Sequence, residues 1–458
     1  MTRSPFDPPL DEMRAMGGSV VDLVSRFIDE RYDARTSDYS DLEPLLARLA
    51  VLPPSAPRDL GQLLATVEEA AGKGFDTASP GFLGYIPGGG LYASALGDLI
   101  ACVVNRYTGV AAPAPALVQL EASVLRWLCD TFGLPASSQG VLTPGGSMST
   151  LSAVVAARSA RLGEDFRGAR LYVSDEVHHC VAKSAQIAGL PRDAVRVVRT
   201  DDHLRLDPAA LREAIDEDRA AGLIPFMAVA SAGTINTGVV DPLNAVADVC
   251  AEQDVWFHVD GAYGGFFQLT DRGRVALQGI ERADSIVLDP HKGLFLPYGT
   301  GCLLVRDREA LRAAHEVQAH YLPRPSDDPG LPDFSAYSPE LTRDFRGLRL
   351  WLPLHLHGTQ AFVAALDEKL DLARELHAGL SVLELELAEG PDLSLVAFRP
   401  RTGDPDALLH RINGTGRLWL SSAPVRGRTF LRMCILSHRT GRDRIEEAVQ
   451  IIRQALEP

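Results

Sequence analysis

The chain has 458 residues, of which 46% are hydrophobic and 23% charged, a composition that excludes a disordered or fibrous protein. At roughly 100–200 residues per domain, this length predicts two to four lobes. The 45 basic and 60 acidic residues give a net charge of −15, which would mostly repel nucleic acid phosphates and anionic lipids. We therefore expect neither nucleic acid nor a membrane as a partner.

Targeting and metal-binding signals are missing from the sequence. There is no run of about eighteen apolar residues and no apolar stretch near the N-terminus, so we expect a cytoplasmic protein. The six cysteines are scattered without a C-x-x-C pair, which argues against a disulfide framework and a zinc knuckle. Buried thiols and no bound metal are the expectation.

The predicted elements change in character along the chain. Apolar residues at helical spacing predict helices over 10–33 and around 41–50 and 57–73. From about residue 80, short apolar runs alternate with helix-length segments, which predicts an α/β fold with a mostly parallel sheet. The predicted strands lie near 140 and at 169–174, 195–198, 226–231, 255–260, 285–289 and 301–305.

The second half of the chain contains a predicted loop and a smaller unit. Residues 318–340 hold five prolines without periodicity, which predicts a long surface loop acting as a lid. After this loop we predict a long helix, a terminal helix from about 441, and strands around 392–398, 417–421 and 428–436. We predict a helical N-terminal arm over 1–79, a large domain over 80–345 and a small α+β domain over 346–458.

Ligands of such sheets bind at the carboxyl ends of the strands, where two charged residues are predicted to lie. Lys292 follows SIVLD and precedes GLFLP, and this apolar setting predicts a lowered pKa and an amine able to form a Schiff base with an aldehyde. Asp260 ends VWFHVD, where a carboxylate is commonly a turn or helix cap. Together with the lysine, it suggests pyridoxal phosphate, whose ring nitrogen must stay protonated to withdraw electrons.

Two further motifs lie at the same predicted edge. Residues 143–147 read TPGGS between a strand and a helix, which suits either a phosphate cradle or a simple turn with an N-cap. The pair His178-His179 follows the strand that ends near Ser174. Adjacent histidines without further ligands disfavour metal, so we expect His178 to stack on a cofactor and His179 to be an ordinary cap.

Seven motifs occur together in one order along the chain: GYIPGGG at 84–90, APALVQLE at 114–121, TPGGS at 143–147, SDEVHH at 174–179, HVDGAYGG at 258–265, DPHKG at 289–293 and FRGLRLW at 345–351. This set resembles the group II pyridoxal-phosphate-dependent amino acid decarboxylases. The family includes aromatic-L-amino-acid, histidine and glutamate decarboxylases and has the aspartate aminotransferase fold, fold type I. The set also resembles bacterial members from natural-product pathways.

The resemblance implies a role for each matching residue in binding pyridoxal 5′-phosphate. Lys292 matches the Schiff-base lysine, Asp260 the partner of the ring nitrogen, and His178 the histidine that stacks on the ring and contacts the substrate carboxylate. The remaining matches are Ala262 against the ring and Gly146, Ser147, His291 and Asp289 near the phosphate. Asp289 stands where the animal aromatic decarboxylases have asparagine, which leaves its role as a donor open.

The resemblance also implies how the substrate is held and what is made from it. It places substrate contacts at Tyr85 and Ile86 and, across the interface of a homodimer with shared active sites, near Tyr107. Tyr321 matches the loop tyrosine that protonates the carbanion, which favours decarboxylation of an L-amino acid to an amine through a Schiff base and a quinonoid. The alternative is a decarboxylation-dependent oxidative deaminase or a carbon–sulfur lyase acting on an S-substituted cysteine in a natural-product pathway.

Several alternatives stay open at this point. Gly88-Gly89-Gly90 predict either a roomier pocket or a sharp turn, and Arg343, Arg346 and Arg349 either meet a second anionic group or form a solvated helix face. The substrate side chain is aromatic, acidic or an S-substituted cysteine. An aminotransferase is disfavoured by the context of Lys292, and a catalytically dead binding protein by the presence of Lys292, Asp260, His178 and Tyr321 together.

Overall fold

The computed structural model describes residues 4, 6–316 and 330–457. Its N-terminal part consists of α1 (Leu10–Glu30), β1 (Ser37–Asp38), α2 (Leu42–Leu49), α3 (Leu60–Ala71) and β2 (Gly74–Phe75). The three helices confirm the periodicity of the sequence. The antiparallel pair of β1 and β2 is a new finding, because two-residue strands are too short to show an alternating pattern.

A seven-stranded sheet forms the centre of the chain, in the order β3-β9-β8-β7-β6-β4-β5. Its strands are β3 (Gln139–Thr143), β4 (Ala169–Ser174), β5 (Val195–Val198), β6 (Ile224–Ser231), β7 (Trp256–Gly261), β8 (Ser285–Leu288) and β9 (Gly301–Val305). All neighbours pair in parallel except β9, which runs antiparallel to β3 and β8. The predicted α/β class with a mostly parallel sheet is confirmed.

Helices cover both faces of this sheet. They are α4 (Tyr92–Val104), α5 (Pro115–Thr131), α6 (Gly146–Leu162), α7 (Cys180–Ile187), α8 (Pro208–Ala220), α9 (Leu243–Glu252), α10 (Asp271–Ala276), α11 (Pro290–Gly293) and α12 (Arg308–His315). The side chains of β7 alternate between the two apolar cores: Trp256 packs in the core with α6 and α7, whereas Phe257 and Val259 pack in the core with α5, α8 and α9. Burial on both faces explains why these strands read as continuous apolar runs.

The C-terminal part contains a four-stranded antiparallel sheet and four helices. They are α13 (Gly347–His357), α14 (Thr359–Ser381), β10 (Leu385–Leu387), β11 (Leu395–Pro400), α15 (Pro405–Gly414), β12 (Ser421–Val425), β13 (Arg428–Cys434) and α16 (Arg442–Leu456), with strand order β10-β11-β13-β12. The strand predicted around 417–421 lies slightly later in the chain, and Trp419 instead forms an isolated parallel bridge with Phe82, its N–H donating to Gly81 and its carbonyl accepting from Leu83. The ladder with β13 therefore begins at Ser421.

The three arginines around the start of α13 are all paired with carboxylates. Arg343 forms an ion pair with Glu121 in which both side chains are fully buried. The other two belong to one network: the buried Arg346 contacts Glu340 and Asp344, and the partly exposed Arg349 contacts Asp344 and Asp98. The prediction of a solvated helix face is wrong, and these arginines are already neutralised by groups of the chain itself.

The predicted loop falls partly outside the described residues, since the structure resumes at Gly330. Residues 334–336 form a single helical turn within its second half. Across the described part of the chain, we find no helix that is both long and apolar enough to span a membrane. The domain limits at 79 and 345 stay a prediction.

Candidate active site

Five strands of the central sheet end at one edge, and each delivers polar groups there. The segment 143–147 follows β3, His178 follows β4, Ser231 ends β6, Asp260 lies in β7, and the segment 289–292 follows β8. Because these strands are parallel, their carboxyl ends meet at the same edge. They surround a cavity of about 370 Å³, which is within the size range of small-molecule sites.

Most of the predicted site residues line this cavity. They are Ile86, Gly146, Ser147, His178, Asp260, Ala262, Asp289, His291 and Lys292. Tyr85 does not: its ring is 52% exposed and lies 5.3 Å from that of Trp419. Tyr107 is also elsewhere, with its hydroxyl donating to Leu341 O at 2.9 Å. Tyr321 lies outside the described residues.

Lys292 lies in the single turn α11, and its Nζ is 2.8 Å from Asp289 Oδ2. Burial alone would lower the pKa of Lys292, but the contact with Asp289 and the nearby charge of Asp260 raise it above its ordinary value. The predicted lowering is therefore wrong, because it considered only the apolar flanks. Asp289 is the carboxylate in contact with Nζ, and it stabilises the cationic form of the amine.

Asp260 is 9% exposed and faces the cavity from the end of β7. Its Oδ1 accepts the backbone N–H of Ala262 at 3.1 Å, which fixes the carboxylate relative to the floor of the cavity. Burial raises the pKa of Asp260, while the Ala262 N–H and the Lys292 charge act in the opposite direction. A cationic or protonated group placed against this carboxylate would stabilise its ionised form.

His178 lines the cavity just before α7 and is held in one tautomer. Its Nδ1 accepts the backbone N–H of Cys180 at 3.2 Å, so the proton of the neutral ring resides on Nε2. Burial lowers the pKa of His178 to about 4, and the neighbouring His179 and Lys292 add to this effect. The ring is therefore neutral at physiological pH. His179 is exposed at the start of α7 and is not among the cavity-lining residues.

The segment at the start of α6 fits an anion such as a phosphate. A Cβ added to Gly146 would lie 2.8 Å from Asp289 Oδ2, and one added to Gly301 would lie 2.6 Å from Gly145 Cα. Glycine thus lets the backbone reach the cavity, where the first-turn N–H groups of a helix attract anions. His291 is fixed beside them, because its Nδ1–H donates to Thr300 O at 2.7 Å. Asp289 acts here as an acceptor for Lys292.

The stretch Gly88-Gly89-Gly90 does not enlarge the cavity, so the prediction of a roomier pocket is wrong. A Cβ on Gly88 would lie 2.8 Å from the ring of Tyr298, and one on Gly89 would lie 2.5 Å from Phe295 Cβ. The space that the missing side chains leave is therefore filled by the turn that follows Lys292. Only at Gly90 is there open space, and its φ of +62° favours glycine for conformational reasons.

Some cavity residues escaped the sequence analysis. These are Met148, Thr150, Cys180, Ser231, Gly233, Thr234, Ile235 and Tyr263. Ser231 could have been found, since it ends a predicted strand as Asp260 does, and its N–H donates to buried Asp241. Cys180 carries a thiol whose pKa burial raises to about 12, so it stays protonated. Within 4, 6–316 and 330–457, no three His, Cys, Asp or Glu side chains are grouped to hold a metal ion.

Comparison with known proteins matches residues 45–401 to the pyridoxal-dependent decarboxylase conserved domain. The chain belongs to this family. Its decarboxylase domain, the fold type I architecture and the residues of the cavity agree on the cofactor, which is pyridoxal 5′-phosphate. The glycine-lined start of α6, His291 and the pair of Lys292 and Asp260 fit its phosphate, aldehyde and ring nitrogen. The protein is a pyridoxal-phosphate-dependent carboxy-lyase.

Relatives of this decarboxylase cover nearly its whole length. An aromatic-L-amino-acid decarboxylase of Bacillus atrophaeus is 32% identical over 96% of this chain and 94% of its own. A phenylacetaldehyde synthase of Arabidopsis thaliana is 29% identical over 97% and 95%, respectively. Among solved structures, an Oryza sativa TDC with PLP and tryptamine gives a TM-score of 0.94 at 28% identity, covering 99% of both chains.

Proposed function

We propose that this decarboxylase converts an L-amino acid to the corresponding amine and carbon dioxide. The observation that supports this most directly is the meeting of Lys292, Asp260 and His178, from three strand ends, around one cavity. Pyridoxal phosphate supplies an electron sink for the charge left on Cα when the carboxylate departs. The residues of the chain supply binding, orientation and proton transfer.

Each of the three groups has a distinct role in this proposal. Lys292 Nζ would hold the cofactor at its aldehyde carbon, and Asp289 positions that nitrogen through a contact of 2.8 Å. The Asp260 carboxylate keeps the ring nitrogen protonated, an interaction worth roughly 4 kcal/mol at about 4 Å and an effective dielectric of about 20. Ala262 is small enough to leave one face of the ring free.

His178 and the start of α6 orient the ligands. The neutral His178 ring would stack on the cofactor, and its Nε2–H would donate to the substrate carboxylate. By holding the substrate carboxylate, His178 would select this group for loss, and the cofactor would supply the electron sink. Gly146, Ser147 and His291 bind the phosphate and so keep the ring fixed while the substrate changes.

A homodimer with shared active sites completes the proposal. Helix α4 presents a face of exposed apolar side chains that includes Leu99, Ile100, Val103 and Val104. Exposed apolar patches of this kind are typical of protein interfaces. Neither Tyr85 nor Tyr107 lines the cavity of its own chain, which supports a contribution of Tyr107 to the site of a second copy. We also propose that residues 80–345 form the cofactor-binding domain.

The substrate class is proposed from the cavity wall. Ile86, Ile235 and Tyr263 give the wall an apolar character that suits an aromatic side chain, and a named relative decarboxylates aromatic amino acids. One observation favours an acidic substrate instead. Arg432 is 4% exposed, and its Nε and one terminal nitrogen lack hydrogen-bond partners among the described residues. Burial lowers the pKa of Arg432, while nearby Tyr263 of the cavity wall acts in the opposite direction.

Product analysis decides between these readings. The holoenzyme is incubated with aromatic, acidic and S-substituted cysteine amino acids while products are identified by mass spectrometry and oxygen is monitored. We expect an aromatic amino acid to give amine and carbon dioxide in equal amounts without oxygen uptake. Aldehyde and ammonia with oxygen uptake, the outcome expected of the oxidative deaminase, would contradict the proposal. A thiol product would identify a carbon–sulfur lyase in its place.

Replacing Tyr321 by phenylalanine tests the choice of amine as product. We expect amine formation to fall by about a hundredfold and oxygen uptake to rise, because the resemblance assigns the protonation of Cα to this phenol. The control is Tyr39→Phe, which removes the hydroxyl of an exposed tyrosine in the N-terminal arm and should change neither quantity. An unchanged amine yield in the Tyr321 variant would remove Tyr321 from the mechanism.

A further inference from the structure

Arg439 connects the end of the small C-terminal sheet to the chain segment 78–90. It lies in the connection between β13 and α16 and is 7% exposed. One terminal nitrogen donates to Gly89 O at 2.6 Å and lies 3.5 Å from Ala78 O, and the other lies 3.5 Å from Gly90 O. All three acceptors are backbone carbonyls of this one segment.

Arg439 differs from the other buried arginines of the described residues in its hydrogen-bond partners. Arg343, Arg346 and Arg444 are paired with carboxylates. Arg432 contacts a serine hydroxyl, whereas Arg439 donates only to backbone carbonyls. Burying a charge without an opposite charge is costly, and a guanidinium forms a rigid fork of donors. Such a contact is better suited to fixing the position of a backbone than to adding stability.

The fixed segment lies directly against the turn that carries Lys292. Gly89 is in close contact with Phe295, as a Cβ there would lie 2.5 Å from both Cβ and the carbonyl oxygen of Phe295. The N–H of Phe295 in turn donates to Lys292 O at 3.2 Å. Gly89 is thus held between Arg439 on one side and the Lys292 turn on the other.

The same segment also forms part of the cavity wall. Ile86, three residues before Gly89, is 7% exposed and lines the cavity. The N–H of the preceding Tyr85 donates to Ser421 Oγ in β12. The stretch 85–89 is therefore held at one end by Ser421 and at the other by Arg439. A shift of Gly89 would therefore change the separation between the wall at Ile86 and Lys292.

We propose that Arg439 is a positioning residue that sets the separation between the substrate wall at Ile86 and the Lys292 turn, and thereby the affinity for the side chain of the amino acid. This inference rests on the proposed function, since it takes the cavity to bind an amino acid beside the cofactor. Arg439 itself touches neither.

The test is the affinity of the holoenzyme for an amino acid, measured without turnover. An α-methyl aromatic amino acid is titrated into wild type and Arg439→Met, and the absorbance change of the bound cofactor gives its Kd. We expect Kd to rise about tenfold in the variant, while the affinity for pyridoxal phosphate stays within about twofold. Arg439→Lys should fall between the two, because it keeps the charge but loses the fork.

Three further variants separate positioning from stability. Thr440→Val removes the bond from the adjacent Oγ1 to Pro80 O at 2.8 Å, and should lower Tm with Kd unchanged. Arg442, three residues after Arg439, forms an exposed ion pair with Glu375. Arg442→Met removes this pair and should change neither Tm nor Kd. Gly89→Ala places a methyl group against Phe295 from the opposite side and should raise Kd as Arg439→Met does.

The inference is overturned if Arg439→Met lowers Tm as Thr440→Val does but leaves Kd within twofold of wild type. Should Arg439→Met fail to fold, Arg439→Lys and Gly89→Ala decide by the same measurement. A failure of the proposed function is distinguishable, because a wild type that binds the analogue and releases no carbon dioxide from any amino acid contradicts only that proposal.

Discussion

Lys292→Ala is expected to lower the rate of decarboxylation by at least about ten thousandfold, equivalent to roughly 5.5 kcal/mol of transition-state stabilisation. In our proposal Nζ is the atom that holds the cofactor, and alanine offers no nucleophile in its place. The buried Asp289 would also lose the cation that contacts it at 2.8 Å. The steady-state rate of carbon dioxide release and the visible absorbance of gel-filtered protein are the two measurements.

The control for this substitution is Lys183→Ala, which removes an exposed lysine on α7 and should leave both measurements unchanged. We expect Lys292→Ala to lose its cofactor on gel filtration while its far-UV circular dichroism stays that of the wild type. Retention of more than about a hundredth of the wild-type rate would mean that another amine performs this role.

Asp260→Asn is expected to lower kcat by about a thousandfold. Asparagine has the same shape and can still accept the N–H of Ala262, so the variant isolates the charge of the carboxylate. Losing an interaction of roughly 4 kcal/mol with the ring nitrogen corresponds to about three orders of magnitude in rate. Because Asp260 is 9% exposed, water cannot readily replace its charge. The measurement is kcat at saturating cofactor.

The matched control is Asp254→Asn, which removes the charge of an exposed aspartate paired with Arg161 just before β7. Surface pairs of this kind contribute little, so its kcat should equal that of the wild type. A kcat for Asp260→Asn within tenfold of the wild type would show that a group other than Asp260 keeps the ring nitrogen protonated.

The central sheet and the main site residues could be predicted because their signals are local. VWFHVD predicts a strand over 255–260 and the structure has Trp256–Gly261, since burial on both faces leaves an uninterrupted apolar run. The position of Asp260 at the end of that strand, and of Lys292 after the next one, places both at one edge without knowledge of any contact. The cavity follows from this arrangement.

The predictions that were wrong depended on contacts between distant or differently oriented groups. Arg343 is neutralised by Glu121, which lies 222 positions away in the chain, and no local pattern reports such a pair. The glycines at 88 and 89 are explained by Phe295 and Tyr298 across the fold. The raised pKa of Lys292 also depends on the local fold, because the turn α11 places the Asp289 carboxylate against the Lys292 amine.

Because the cavity is assembled from five separate strand ends, retention of the cofactor depends on a complete central sheet. The first of these strand ends, the segment 143–147 at the end of β3, and the last, the segment 289–292 after β8, are more than 140 residues apart in the chain and become neighbours only in the folded sheet. A nascent chain lacking any of these strands has nowhere to retain the coenzyme. The absorbance of the bound cofactor therefore identifies molecules whose central sheet is complete, independently of whether they are active.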